Sequence, residues 1–140
     1  MPIDSRIIEQ NINLLKSEVE RLKFDTCWQI SADYTRFYVI SNDPDTIFLG
    51  ELCQNVFSEM RVLLEHYEFS NERLNEVQAG LQTRLDTILN AMRSGTDTDK
   101  YSSLRDLRVF VTKMQFKEWH TGMMRMMPPS VPVPEEDDEE

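Results

Sequence analysis

Apolar residues near the start of the chain recur at alternating steps of four and three, the spacing of two helices packed along a shared seam. The seam consists of Ile8, Ile12, Leu15, Val19 and Leu22. Lys16 and Glu20 lie one turn apart on the other face, where a weak ion pair suits a solvated surface. With only four glycines in 140 residues, this pattern predicts an all-helical protein.

The helical pattern continues beyond Leu22, because a step of 3.6 residues falls near Thr26, Ile30, Tyr34 and Phe37. We therefore expect one helix over about residues 5–40, about 50 Å long at 1.5 Å per residue. The alternative is a short buried strand at its end, over residues 37–40. A helix of this length would overhang shorter neighbours and leave part of its apolar seam exposed unless another chain covers it.

The next helix is expected over residues 45–69, because Asp43 suits an N-cap and Pro44 suits the first helical position. Ser70 or Asn71 can cap a further helix over residues 71–93. That segment carries a second seam, formed by Leu74, Val77, Leu81, Leu85, Ile88 and Met92. Because this seam is nearly in phase with the apolar positions of the preceding helix, from Phe48 to Tyr67, one continuous helix over 45–93 is the alternative. Gly80 weakens the second half and suggests a close approach of two helices.

Gly95 is a plausible stop before a last helix over residues 100–122. Its apolar positions are Leu104, Leu107, Phe110, Val111, Met114 and Trp119. Beyond it, four prolines and six consecutive acids predict a disordered tail over residues 128–140. The expected fold is an all-α antiparallel bundle or hairpin of three to four long amphipathic helices with coiled-coil-like seams, in one domain over residues 1–127.

Charge and cysteine content restrict the function classes. Residues 135–140 supply six of the ten net negative charges, and the remainder lacks the clustered lysines and arginines that nucleic-acid binding requires. Cys27 and Cys53 lie within helical patterns and are expected to be free thiols of a cytoplasmic protein. We expect neither a signal peptide nor a membrane span, because no apolar stretch is long enough.

Motifs for catalysis or metal binding are not recognisable in the sequence. A carboxylate-bridged metal site needs Glu-x-x-His, but Leu63 and Lys117 stand three residues before His66 and His120. The two cysteines lack a neighbouring base, and the acids in SGTDTDK are interpreted as an ordinary turn. We expect no catalytic residue, no cofactor and no metal, so the protein is predicted not to be an enzyme.

The methionines after His120 allow two interpretations. Their thioethers could hold Cu(I), or they could form an adaptable apolar surface for a partner protein together with Phe116 and Trp119. We favour the second. The residues concerned are Met123, Met124, Met126 and Met127.

The function expected from these features is protein–protein interaction, by a helical scaffold or adaptor that self-associates or joins a complex through the two seams and the methionine-rich end. The alternative is an acidic helical chaperone or inhibitor that masks one client protein in its exposed seam. An acidic decoy for a nucleic-acid-binding groove fits less well, because the acids are concentrated in the tail. The acidic tail itself either keeps the protein soluble or meets a basic surface on a partner or on the last helix.

Overall fold

The computed structural model describes residues 5–38, 40 and 43–126, and this part of the chain is all-helical without a strand. The helices are α1 (Ser5–Glu20), α2 (Phe24–Tyr38), α3 (Pro44–His66), α4 (Asn71–Ser94) and α5 (Asp97–Met126). The alternative of a strand is not supported, because Phe37 and Tyr38 are helical and Ile40 lies in a short 3₁₀ turn. The expected tail over 128–140 lies outside the described residues.

The prediction of one helix over residues 5–40 is wrong, because the chain turns back between α1 and α2. Leu22 has a positive φ of 58°. Its N–H donates to the carbonyl of Val19 at 2.9 Å, and the N–H of Lys23 donates to the carbonyl of Glu18 at 3.0 Å. These two bonds form a Schellman motif, in which a left-handed residue ends a helix. The first segment is therefore a helical hairpin, and no 36-residue helix overhangs the others.

The remaining helix boundaries follow local capping chemistry. The Asp43 carboxylate accepts from the backbone N–H of Thr46 at 3.2 Å, with Pro44 at the first helical position. The Ser70 hydroxyl accepts from the N–H of Arg73 at 3.0 Å, and Gly95 caps the end of α4. These boundaries confirm the predicted breaks and show that residues 45–93 form two helices.

α5 begins earlier and ends later than the predicted 100–122. The N–H of Thr96 donates to the Asp99 carboxylate, and the N–H of Asp99 donates to the Thr96 hydroxyl, both at 3.1 Å. This reciprocal pair is a capping box, with aspartate in the place of the usual glutamate. Asp97 and Asp99, interpreted from the sequence as part of an ordinary turn, thus lie in the first turn of α5. Gly122, expected at the end of the helix, lies within it.

Ion pairs between helices define their relative directions. Glu9 and Lys16 of α1 pair with Arg93 and Asp86 of α4, so these helices are antiparallel. α2 runs antiparallel to α3, since Phe24 stacks on Phe57 with ring centroids 6.1 Å apart while Thr35 lies against Gly50. α3 and α5 are parallel, with pairs from Asp45 to Lys100 at 2.9 Å and from Glu59 to Arg108.

One hydrophobic core joins the five helices described here. α1 packs on α2 and α4, α2 packs on α3, and α5 packs on α3 and α4. The antiparallel α4 and α5 are joined by ion pairs from Arg84 to Asp106 at 3.5 Å and from Arg73 to Glu118 at 3.1 Å. This arrangement fixes which side of α5 faces the core.

Candidate functional site

The two apolar seams expected to bind other chains lie largely in the core of this chain. The α1 positions meet the α4 positions along the antiparallel α1–α4 pair. Eight of the predicted positions are buried: Ile8, Ile12, Leu15, Val19, Val77, Leu81, Leu85 and Ile88. Leu22, Leu74 and Met92 are half-buried. Most of the apolar surface predicted to attract a partner is therefore covered by the chain itself.

Two of the predicted interface residues of α5 lie on the surface. Phe116 and Trp119 are 64% and 51% exposed. Their ring centroids are 6.0 Å apart, and the His120 ring stacks on Phe116 with an interplanar angle of 7° and a centroid distance of 6.1 Å. We call these three residues the outer aromatic face. In the Cu(I) interpretation His120 is next to the methionines in sequence. In the structure its ring packs against Phe116.

Helical geometry explains why this face points away from the core. The core side of α5 carries Leu104, Leu107, Val111 and Met114, all buried. Each residue turns an α-helix by about 100°. Phe116 and Trp119, two and five residues after Met114, are therefore rotated by about 200° and 140° from it. Residues with helical spacing can thus line both sides of α5, and periodicity alone does not reveal which side is covered.

α5 continues beyond the contact that fixes it to the start of α4. Glu118 pairs with Arg73, only two residues after α4 begins at Asn71. Residues 119–126 follow this contact in helical conformation, a length of about 12 Å. Met123, Met124 and Met126 belong to this stretch, but their side chains, like the whole of Met127, lie outside what the structure describes.

An open groove lies at the turn between α3 and α4. It is lined by Leu64, Glu65, His66, Tyr67, Glu68, Phe69 and Leu74. Leu74, predicted as a seam residue, borders this groove and follows Arg73 in the chain. The groove lies at the end of α3, and its lining contains no lysine or arginine.

Exposed positive charge lies on the outside of α5, with Arg105 about 20° and Lys117 about 100° around the helix from Phe116. Arg105 and Lys117 are exposed, and neither forms an ion pair with another described residue. The carboxylates of α5 nearest to them in sequence, Asp106 and Glu118, pair instead with arginines of α4. The outside of α5 therefore has a local excess of positive charge in a chain whose formal net charge is -10.

The buried cysteines lack the environment of a reactive nucleophile. Both are buried free thiols. Desolvation by burial raises the pKa of Cys27, and it raises the pKa of Cys53 to about 12 from the ordinary 9.0. Since the thiolate is the nucleophilic form, both groups stay protonated at neutral pH. The Cys27 thiol contacts the carbonyl oxygen of Leu15 at 3.8 Å, consistent with a packing role.

Within the described residues, no three histidine, cysteine, aspartate or glutamate side chains are grouped as a metal site would require. The described helices also contain none whose length and apolar character would allow it to cross a membrane. Comparison with protein-family models, with curated proteins and with solved structures gave no match. The outer aromatic face of α5 is therefore the candidate functional site.

Proposed function

We propose that this protein is a non-enzymatic interaction subunit that binds another protein through the outer aromatic face of α5. The observation that carries the proposal is the exposure of Phe116 and Trp119 beside each other on one helix. Large aromatic residues contribute much of the binding energy at protein interfaces, tryptophan above all. Two such rings in contact with each other form an apolar patch, and patches of this kind mark interaction sites more often than single exposed rings do.

The charge around the face specifies the chemistry of the partner. Arg105 and Lys117 are exposed on the same helix without an ion pair among the described residues. A partner segment with apolar side chains and carboxylates would bury the aromatic rings and place its acids near Arg105, which lies on the same side of α5 as Phe116, with Lys117 at the edge of the contact. We therefore propose an acidic, amphipathic segment of another protein as the ligand.

The binding surface proposed here, on α5, differs from the seams expected from the sequence. The seams were expected to join another chain, but eight of their residues are buried in this one. Burial in the chain's own core removes the physical reason for expecting self-association through them. The proposed role is still that of a scaffold or adaptor, which would bind the other members of a complex through α5.

Comparative affinity capture tests the proposal. Immobilised wild-type protein, the double variant Phe116→Ala/Trp119→Ala and the control Phe37→Ala/Phe48→Ala are exposed to the same extract and compared by quantitative mass spectrometry. The control removes two aromatic rings that are similarly exposed, at 68% and 57%, on α2 and α3.

We expect at least one protein to bind the wild type and the control equally and to be depleted at least tenfold on the α5 variant. Its purified form should then bind the wild type directly, with the same dependence on Phe116 and Trp119. Capture that is unchanged by the α5 substitutions, or lost only in the control, would contradict the proposal.

A further inference from the structure

We infer that the acidic segment 135–140 of the same chain docks on the outside of α5, against Arg105 and Lys117, and borders the ring of Phe116, which lies between these two cations around the helix. The segment consists of Glu135, Glu136, Asp137, Asp138, Glu139 and Glu140. Six consecutive carboxylates repel one another and favour any nearby cation that lacks a partner. Such cations lie on α5, the helix that precedes this segment in the chain.

Two other cations of α5 are already paired with carboxylates of α3. Arg108 binds Glu59 of α3, and Lys100 binds Asp45 at 2.9 Å. Arg105 and Lys117 form no ion pair with any residue that the structure describes. They are 12 positions apart in the sequence, which corresponds to about 18 Å along a helix. Six extended residues span a similar length, about 20 Å.

The connecting chain is long enough for the segment to return along α5. α5 ends at Met126, about 14 Å beyond Lys117 at 1.5 Å per residue. Residues 127–134 contain four prolines, and a proline-rich chain of eight residues spans about 25 Å. The first acids can therefore reach Lys117, and the later ones can extend toward Arg105. A proline at position 128 also favours departure from the helical direction.

Because the acidic segment is attached to the same chain as α5, a weak interaction is enough to dock it there. A segment tethered by a short linker has an effective concentration in the millimolar range near its target. Exposed ion pairs are individually weak and are screened by salt, with a Debye length of about 10 Å at 0.1 M and about 3 Å at 1 M. The docking should therefore be populated at low ionic strength and lost at high ionic strength.

The docked segment would act as a competitor for the partner. It has the carboxylates that the proposed ligand needs, and it would lie against Arg105 and beside Phe116, where the partner binds. This consequence rests on the proposed function, whereas the docking itself depends only on the charges and on the length of the chain. A partner would have to displace the segment, so its removal should increase the partner's affinity.

Heteronuclear NMR of the isolated protein tests the docking without a partner. Spectra of the full chain and of a chain ending at residue 127 are compared at 50 mM and at 1 M NaCl. We expect backbone signals of residues 105–120 and the Trp119 indole N–H to differ between the two proteins at 50 mM. The differences should fall at least fivefold at 1 M. The Trp28 indole, located on α2, is an internal control.

Charge variants separate docking from simple proximity to the truncation. In the full chain, replacing all six acids by glutamine or asparagine should reproduce the spectrum of the shortened chain at residues 105–120. Arg105→Glu/Lys117→Glu should do the same for the Trp119 indole, whereas Arg36→Glu on α2 should not. Arg36 is a control because it is an exposed arginine on a different helix, α2, where it pairs with Asp33.

Identical signals for residues 105–120 at 50 mM NaCl would overturn the inference, as would differences that persist unchanged at 1 M. If the differences appear but capture of partners does not depend on Phe116 and Trp119, the docking stands and the proposed function fails. The two claims can therefore fail separately.

Discussion

The ring of Phe110 on α5 packs directly against the backbone of Gly80 on α4, so that a Cβ atom at position 80 would overlap the ring. Arg84 holds this arrangement from one side. Its guanidinium lies 4.1 Å from the centroid of the Phe110 ring, and its Nη1 donates to the carbonyl of Gly80 at 3.1 Å. The close approach that the sequence suggested for Gly80 is confirmed, and α5 is the helix that makes it.

Replacing Gly80 with alanine should therefore destabilise the protein although alanine favours helix by about 1 kcal/mol. Overpacking typically costs 1–3 kcal/mol, so we expect a net loss of up to about 2 kcal/mol in the free energy of unfolding, measured with urea. In a Phe110→Ala background the ring is gone, and Gly80→Ala should then stabilise by about 1 kcal/mol. The same effect in both backgrounds would show that the ring does not restrict position 80.

Leu22 provides a test of the hairpin between α1 and α2. Its positive φ costs an L-residue about 1 kcal/mol, and glycine is free of this cost. Leu22→Gly and Leu22→Ala both remove the half-buried side chain, but we expect the glycine variant to be more stable by about 1 kcal/mol. In a continuous helix the order would be reversed, because glycine is the poorer helix former. The order of the two urea midpoints therefore distinguishes a hairpin from a helix.

Leu14 and Leu15 are neighbours on α1 with opposite environments, since Leu14 is 55% exposed and Leu15 is fully buried. Leu15→Asp places a carboxylate in the core and should unfold the chain, with loss of most of the helical circular dichroism signal. Leu14→Asp should change the free energy of unfolding by no more than about 0.5 kcal/mol. Equal effects of the two substitutions would mean that the α1 seam is not in the core.

Stability should fall at alkaline pH because burial raises the pKa of Cys53 to about 12 and that of Tyr34 to about 12. Their neutral forms stabilise the fold fully below about pH 9. This contribution is lost as the pH rises toward 12, since the unfolded chain releases the protons earlier. One such group gives a slope of up to about 1.4 kcal/mol per pH unit. Urea unfolding from pH 8 to 10.5 measures this slope.

The variant Cys53→Ala is expected to be less stable at pH 8, because a buried side chain is lost, but to have a shallower dependence on pH. Arg36→Gln, which changes an exposed residue, should keep the wild-type slope. An unchanged slope for Cys53→Ala would mean that the thiol does not contribute to the alkaline loss.

Local chemistry explains which parts of the fold the sequence predicted. Asp43 and Ser70 start helices because their side chains accept from backbone N–H groups, and Pro44 suits the first helical position. Leu22 has no such preference, and its left-handed conformation depends on the packing of α1 against α2. The capping box of Thr96 and Asp99 was recognisable in principle, but its acids were interpreted as a turn.

The sequence did not show which apolar residues would be available to a partner. A seam such as Ile12 to Val19 predicts that a helix covers it, but periodicity does not distinguish a helix of the same chain from one of another chain. Here α4 covers it. Phe116 and Trp119 were named together with the seam residues, and only their position on α5 relative to Met114 separates them from the core. Their role as an interface stays a prediction.

The seams pack within one chain, and we propose that α5 provides the surface for a partner. Light scattering coupled to size exclusion, over concentrations from about 1 to 200 μM, measures whether either surface joins two copies of the chain, in wild type and in Phe116→Ala/Trp119→Ala. We expect both proteins to have the mass of one chain throughout. A stable dimer whose mass is unchanged by the double substitution would contradict the account, because it would place the association surface away from α5.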